Sequence, residues 1–211
     1  MLKRNHWLRM LLRKRNRCHT RPTTTTGRCF RMPWQIDPMH TQVEFAVKHF
    51  GMMTVRGNFR DVTAAGEIDP NDPPSSRLEV TIDVASLATN NPQRDNDLRG
   101  SYFLELDKYP TVTFKSTRVE SSGKDRYTLT GDLTIKGITK PITLQLQRYG
   151  EINDERMGHR IAFSAEGEIN RHDYGMEFDM LADNRLVVGQ EVKIFIETEV
   201  VEVKDPVPVS A

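Results

Sequence analysis

The stretch LEVTIDV, residues 78–84, decides the fold class of this 211-residue chain. Apolar side chains occupy every second position of the stretch, and Glu79, Thr81 and Asp83 stand between them. A period of two places the apolar side chains on one face of a β-strand, whereas a helix would need apolar positions three or four residues apart. The stretch therefore predicts a strand that is buried on one face and solvated on the other.

The same alternation returns on both sides of this stretch. Its other occurrences are residues 43–47, 55–59, 112–114, 127–135, 142–146, 161–165 and 192–196. One predicted helix cannot supply the crossovers of a parallel sheet, so the strands must pair antiparallel. Glycines inside strand patterns, at positions 57, 131 and 167, favour a strongly curved sheet. The expected fold is therefore all-β, a closed eight-stranded antiparallel β-barrel with one short helical insertion.

The helical insertion is predicted around residue 91. Asn91 is a residue type that caps helix N-termini, and Pro92 suits the first helical position because its missing N–H would have no partner there. These signals predict a helix from Gln93 to about Phe103 that carries Leu98 on one face.

Charge divides the chain into a basic leader and an acidic domain. Residues 1–33 hold ten of the 30 Lys and Arg residues and none of the 29 Asp and Glu residues, and they also hold both cysteines. We expect residues 1–33 to be a disordered extension or a mis-assigned start, and residues 34–211 to form the β-barrel domain. The basic composition alone supports only non-specific, salt-sensitive association with nucleic acid, so no specific nucleic-acid partner is expected.

The leader also bears on where the protein resides. Its apolar residues are interrupted by Arg9 and closed off by Arg13, so they do not form the apolar core of a secretory signal. No stretch of the chain approaches the roughly 18 apolar residues that a transmembrane helix needs. A cytoplasmic location is therefore expected, and the Arg-rich, acid-free leader keeps organellar targeting as the alternative.

The domain offers no recognisable catalytic or metal motif. It lacks cysteine, and it contains no GxSxG, HExxH or phosphate-cradling glycine motif. His40 and His49 are nine positions apart, which places them on opposite faces of a regular strand, so they should not share a metal ion. We expect no enzyme, no metal site and no cofactor.

Five ordered segments carry a family resemblance, and they are WQIDPMHTQVEFAVKHFG (34–51), RDNDLRG (94–100), KYPTVTF (108–114), GDLTIKGITKPI (131–142) and INRHDYGM (169–176). Together they resemble the successive signatures of the YceI-like family, from Trp34 to about Val203. Within the helical signature, the family usually has His where this chain has Asp97, and Asp where it has Tyr102. The resemblance implies a lipocalin-like barrel that binds polyisoprenoid chains, and a homodimer.

The resemblance and the barrel prediction together give the expected function. An eight-stranded barrel is just wide enough to hold one slender ligand or to be filled by its own side chains. We expect the small residues Gly57, Ala46, Gly131, Ala162, Ala165 and Gly167 to face inward and leave a tunnel. The protein would then sequester or transport an apolar-chain lipid, most simply a polyprenyl phosphate or an isoprenoid quinone. The alternatives are an enzyme acting on a small lipid-like substrate in the same pocket, and a purely structural or stress-response barrel.

The candidate ligand-binding residues follow from strand parity and from the signatures. Four phenylalanines share the apolar parity of separate strands, and at least two of them should line the tunnel. The apolar candidates are Phe45, Val47, Phe59, Leu98, Phe103, Phe114, Phe163 and Met176. Arg94 and Arg171 are the candidates for an anionic head group, because a guanidinium binds phosphate oxygens in pairs. The alternative role of these arginines, with their Asp neighbours, is a structural latch at the barrel rim.

Overall fold

The computed structural model describes residues 34–203, so every prediction about the basic leader lies outside the described residues. Within this range the chain forms thirteen strands, one α-helix and four short 3-10 turns. The strands are β1 (Trp34–Ile36), β2 (Gln42–His49), β3 (Met53–Phe59), β4 (Val62–Glu67), β5 (Arg77–Asp83), β6 (Leu87–Ala88), β7 (Thr111–Gly123), β8 (Arg126–Ile135), β9 (Ile138–Asp154), β10 (Gly158–Asn170), β11 (Leu181–Ala182), β12 (Arg185–Leu186) and β13 (Val188–Glu202). The helix is α1 (Pro92–Arg99), and the 3-10 turns are Pro38–His40, Pro73–Ser75, Val84–Ser86 and Arg171–Tyr174.

Eleven of the strands form one strongly curled antiparallel sheet. Its order is β4-β5-β7-β8-β9-β10-β13-β2-β3-β6, and β1 pairs with β13 beside this path. Strands β11 and β12 form a separate two-stranded hairpin. All eight predicted strands lie in the sheet. Three strands of the sheet were not predicted from the sequence: β1, β4 and β6. The VTAAGE sequence of β4 has small side chains and no marked alternation.

The backbone hydrogen bonds do not form the closed eight-stranded ring that was predicted, because the order of paired strands has two ends, at β4 and β6. The pairing of β2 with β3 stops at Val43 and Phe59. Beyond that pair, the 3-10 turn Pro38–His40 interrupts the strand, and Pro38 has no N–H to donate. A single bridge between Trp34 and Ile68 then continues the same register. The sheet is thus broken in hydrogen bonding at one seam.

The helix begins where the capping signals place it and ends earlier than expected. Asn91 is the N-cap, and its side chain accepts a hydrogen bond of 3.1 Å from the backbone N–H of Arg94. The helix stops at Arg99 because Gly100 adopts extended backbone, and the residues up to Phe103 form turns. The predicted end at Phe103 is therefore wrong.

Two clusters of buried side chains fill the concave side of the sheet. The larger one includes Val43, Phe114, Leu133, Leu144 and Ile169. The smaller one consists of Trp34, Ile161, Phe163 and Val200. None of the helices in residues 34–203 has the length and apolar character needed to cross a bilayer.

Candidate functional site

The curled sheet surrounds an apolar cavity of about 240 Å³. The cavity wall takes side chains from every strand of the sheet's long path and from the segment around α1. The apolar lining residues include Val43, Phe45, Val47, Phe59, Val62, Val80, Leu98, Phe103, Leu104, Phe114, Leu133, Ile142, Leu144, Ala165, Met176, Val192, Ile194 and Ile196. Only five lining residues among those described are polar: Thr41, Glu44, Ser164, Arg171 and Thr198. Such a surface favours an apolar occupant over water.

Most of the predicted ligand-binding residues surround this cavity. Phe45, Val47, Phe59, Leu98, Phe103, Phe114, Met176 and Arg171 all line it. Phe163 does not line it, because this side chain packs with Trp34 in the smaller core cluster. Arg94 is also absent from the lining. Three of the four phenylalanines chosen by parity therefore lie on the cavity wall.

Glycines let aromatic side chains lie flat against this wall. A Cβ placed on Gly57 would lie 2.7 Å from Cε1 of Phe45, and one on Gly131 would lie 2.5 Å from Cε2 of Phe114. Real Cβ atoms do not tolerate such distances, so each ring occupies the space above a glycine of the neighbouring strand. The glycines thus make room for phenylalanine rings along the wall, which leaves the lumen open.

Two of the small residues predicted to face inward do not. Ala46 and Ala162 are absent from the lining, whereas Ala165 is present. The reason is strand parity: Phe45 and Val47 take the inward positions on β2, so Ala46 between them points to the other face.

Several residues that line the cavity were not predicted from the sequence as ligand-binding residues. Among them are Val80 on β5 and Ile194 and Ile196 on β13. Their alternation with polar residues is visible in the sequence and is sufficient to predict them. Leu104 follows the helix in a turn, where no periodic signal exists, so it could not have been found in this way.

A second, smaller cavity continues the first toward Trp34's end of the sheet. Its volume is about 100 Å³, and Phe163, Val200 and Pro73 contribute to its wall. The two cavities share the lining residues Ile36, Leu78, Leu129, Leu146 and Thr198. The two cavities therefore adjoin, and the apolar interior runs along much of the sheet's length.

Arg171 ties two chain segments together from a fully buried position. It is 1% exposed, and its Nε donates to the carbonyl of Gly189 at 3.0 Å. Its Nη2 faces the carbonyls of Phe178 at 2.8 Å and Val188 at 3.1 Å and the carboxylate of Asp179 at 2.9 Å, and its Nη1 donates to the carbonyl of Met176. These contacts favour the latch interpretation. In the head-group role expected for Arg171, a ligand would have to compete with these acceptors for the guanidinium.

Arg94 forms a separate, local group beside the helix. Its Nε donates to Thr89 Oγ1 and its Nη2 donates to the Thr89 carbonyl, each at 2.8 Å. The buried carboxylate of Asp95 accepts from the backbone N–H of Thr89 at 2.8 Å. Arg94 and Asp95 thus fasten the helix start to Thr89, whereas Arg171 binds other segments, so Arg94 and Arg171 share no hydrogen-bond partner among the described residues.

One group of side chains has ligand atoms close enough for a metal ion: Asp37, His40 and Glu199. The Nη1 of Arg160 lies between the two carboxylates, 2.6 Å from Asp37 and 2.9 Å from Glu199. Although burial alone would raise it, hydrogen bonds from His40 and Arg160 lower the pKa of Asp37 to about 2. Since the guanidinium already supplies the positive charge, these residues form an ion-pair cluster that fastens the Pro38–His40 turn to β10 and β13.

Comparison with known proteins agrees with this architecture. The family model described as the YceI-like domain matches residues 34–200. A UPF0312 protein of Yersinia pestis (strain Pestoides F) is 35% identical over 182 residues, which covers 85% of this chain and 92% of that protein.

Two solved structures illustrate the range of the fold. The YCEI protein of Campylobacter jejuni superposes with a TM-score of 0.65 at 31% identity, over 75% of this chain and 90% of that one. A polyisoprenoid binding domain from Saccharophagus degradans, implicated in plant cell wall breakdown, superposes with a TM-score of 0.59 over 82% of this chain and 99% of that one. At 16% identity, the second likeness shows the shared fold alone.

Proposed function

The chain belongs to the YceI-like family, and from this premise we propose that it binds an apolar-chain lipid in the cavity of its curled sheet. The observation that carries the proposal is the cavity lining, which is apolar at nearly every position. At about 240 Å³ the space exceeds the roughly 150 Å³ of an engineered apolar cavity that takes up benzene. Each methylene buried there contributes about 0.8 kcal/mol, so a chain of modest length can offset the cost of association.

The proposed binder is a closed eight-stranded barrel. Strands β1 and β2 are two pieces of one strand on either side of the Pro38–His40 turn, and β3 and β4 are two pieces on either side of residues 60–61. The bridge between Trp34 and Ile68 has the register that the β2–β3 pairing would reach if it continued. Strands β5 and β6 are likewise two pieces of one strand, on either side of the Val84–Ser86 turn. Counting each interrupted pair as one strand gives eight strands around the cavity. This arrangement supports closure of the ring at the Trp34–Ile68 bridge.

The proposed ligand is an isoprenoid with an uncharged head group, which favours an isoprenoid quinone over a polyprenyl phosphate. The polyisoprenoid binding domain of Saccharophagus degradans supports the isoprenoid class by its shared fold. Arg171 is the one cationic side chain among the described lining residues, and protein carbonyls and Asp179 engage it. A phosphate inside the cavity would therefore lose its hydration without gaining a cationic partner.

The proposed role is sequestration or transport of the lipid without chemical conversion. No residue pair on the described cavity wall forms the hydrogen-bonded nucleophile and base that acyl transfer needs. The nearby buried hydroxyl of Tyr174 stays protonated, because burial raises its pKa to about 12. The enzyme alternative thus has no supporting observation in the cavity.

A titration with an isoprenoid quinone tests the proposed function. Ile194 lines the cavity, and its neighbour Lys193 is exposed on the opposite face of β13. We expect Ile194→Trp to fill the cavity and weaken quinone binding by the delipidated protein at least tenfold, while the matched variant Lys193→Trp binds as the wild type does. Equal binding by both variants, or no binding by the wild type, would reject the proposal.

A further inference from the structure

The cavity wall is unevenly covered. On β8, β9 and β10 its side chains are buried, with Leu133 at 6%, Leu144 at 3% and Ala165 at 4% exposed. The side chains that β4 contributes to the wall are more accessible to solvent. Val62 is half-buried, and Ala64 is exposed, unlike every other cavity-lining residue described. The cavity is therefore thinly covered on the side where β4 lies.

The hydrogen bonding of β4 explains this exposure. Along one edge, β4 pairs with β5 from Val62 to Glu67. Along its other edge, the only pairing within residues 34–203 is the bridge just beyond its end, between Ile68 and Trp34. The strand edge between Val62 and that bridge faces the Pro38–His40 turn across the seam.

The turn on the other side of the seam is fastened away from β4. The N–H of Asp37 donates to the Glu199 carbonyl at 2.8 Å, and the Thr41 hydroxyl lies 2.7 Å from the hydroxyl of Thr198. With the Arg160 ion pairs, all of these contacts run to β10 and β13. Met39, at the tip of the turn, is 85% exposed. Among the described residues, none of the hydrogen bonds of this turn crosses the seam to β4.

Resting on the proposed function, we propose that this seam is the side opening through which the apolar chain passes into and out of the cavity, and that Ala64 sets its width. The end of the interior near β1 is closed by the buried Trp34, and Leu98, Phe103 and Leu104 cover the region below α1. A lateral opening lets a long chain slide in sideways without being threaded end-on.

The test compares two adjacent alanines on β4. Ala64 lines the cavity at the seam, while Ala65 is exposed on the opposite face of the same strand and serves as the matched control. Stopped-flow mixing of the delipidated protein with an isoprenoid quinone gives the association and release rates. We expect Ala64→Trp to slow association at least tenfold without speeding release, and Ala65→Trp to leave both rates unchanged.

Each outcome decides the proposal. Wild-type association rates in Ala64→Trp would overturn it, and so would a faster release with unchanged association, because that result makes Ala64 only part of the binding surface. If Ala64→Trp does not fold, Ala64→Val replaces it and should slow association at least twofold without speeding release. Absence of quinone binding by the wild type would instead reject the proposed function.

Discussion

At the residue scale, Gly57 shapes the cavity through the side chain that lies above it. Its replacement by Ala would bring a methyl group into the Phe45 ring and to within 2.8 Å of Thr89 Cγ2. The ring must then turn toward the lumen, so we expect Gly57→Ala to lower the free energy of unfolding by about 1–3 kcal/mol. Gly150→Ala is the control, because nothing lies within 4 Å of that position. Urea denaturation measures both, and equal stabilities would contradict the account of the wall.

A second residue-scale prediction concerns Arg171. Removing a fully buried guanidinium leaves several carbonyls without this donor and takes away one of the two hydrogen-bond partners of Asp179, so Arg171→Ala should destabilise the fold by about 3–5 kcal/mol. Arg171→Lys should recover little of this, because one ammonium cannot serve so many separated acceptors. Denaturation of both variants checks the expectation. If Arg171→Ala had the same free energy of unfolding as the wild type, Arg171 would not act as a structural latch.

Strand parity is enough to locate much of the cavity wall from the sequence. Phe45, Phe59 and Phe114 were identified in this way, and all three line the cavity. Phe163 has the same parity but lies farther along the sheet, where it packs with Trp34 in the smaller core cluster. Parity identifies the face of a sheet and carries no information about position along the strands, so this difference could not be predicted.

At the element scale, the interrupted strands are the elements that the sequence predicts least completely. The VTAAGE sequence of β4 has too few large apolar side chains for its pattern to be recognised. The break between β1 and β2 is marked by Asp37 and Pro38, which are typical of a turn, but only the structure shows that the strand resumes beyond it. The side opening arises at these two elements.

His159 joins three strands and makes stability depend on pH. Its Nε2 lies 2.6 Å from Glu151 on β9, and its Nδ1 lies 3.1 Å from Glu202 on β13. The hydrogen bond with Glu151, assisted by Glu202, raises the pKa of His159 above its ordinary 6.5. A raised pKa stabilises the fold fully below pH 6.5, and this contribution is lost as pH rises through the folded-state pKa.

We therefore expect His159→Gln to flatten the decline in unfolding free energy above pH 6.5 that the contacts of His159 with Glu151 and Glu202 produce. Glu151→Gln should flatten it as well, because it removes the partner that contributes most to the shift. Denaturation at a series of pH values measures the slope. If the unfolding free energy of His159→Gln declined with pH as steeply as that of the wild type, the contacts of His159 with Glu151 and Glu202 would contribute nothing to the pH dependence.

At the scale of the whole molecule, the antiparallel all-β fold, the helix start and the apolar interior could all be predicted from local pattern and turn chemistry. The seam could not, because it depends on pairing between residues far apart in the chain, such as Trp34 and Ile68. The hydrogen bonds of Arg171 to Phe178 and Asp179 could not be predicted either, since these partners lie in a segment without regular structure. The proposed ligand preference and the proposed side opening both rest on these long-range contacts.

The central claim is that the cavity holds an apolar-chain lipid, and native mass spectrometry of the full chain, purified without detergent, tests it most directly. The account predicts a bound apolar-chain lipid on the wild type and on Lys193→Trp, and its loss from Ile194→Trp, because the indole fills the space that the chain needs. A wild-type protein that carries no lipid and takes none up, or an Ile194→Trp variant that carries as much lipid as the wild type, would contradict the claim.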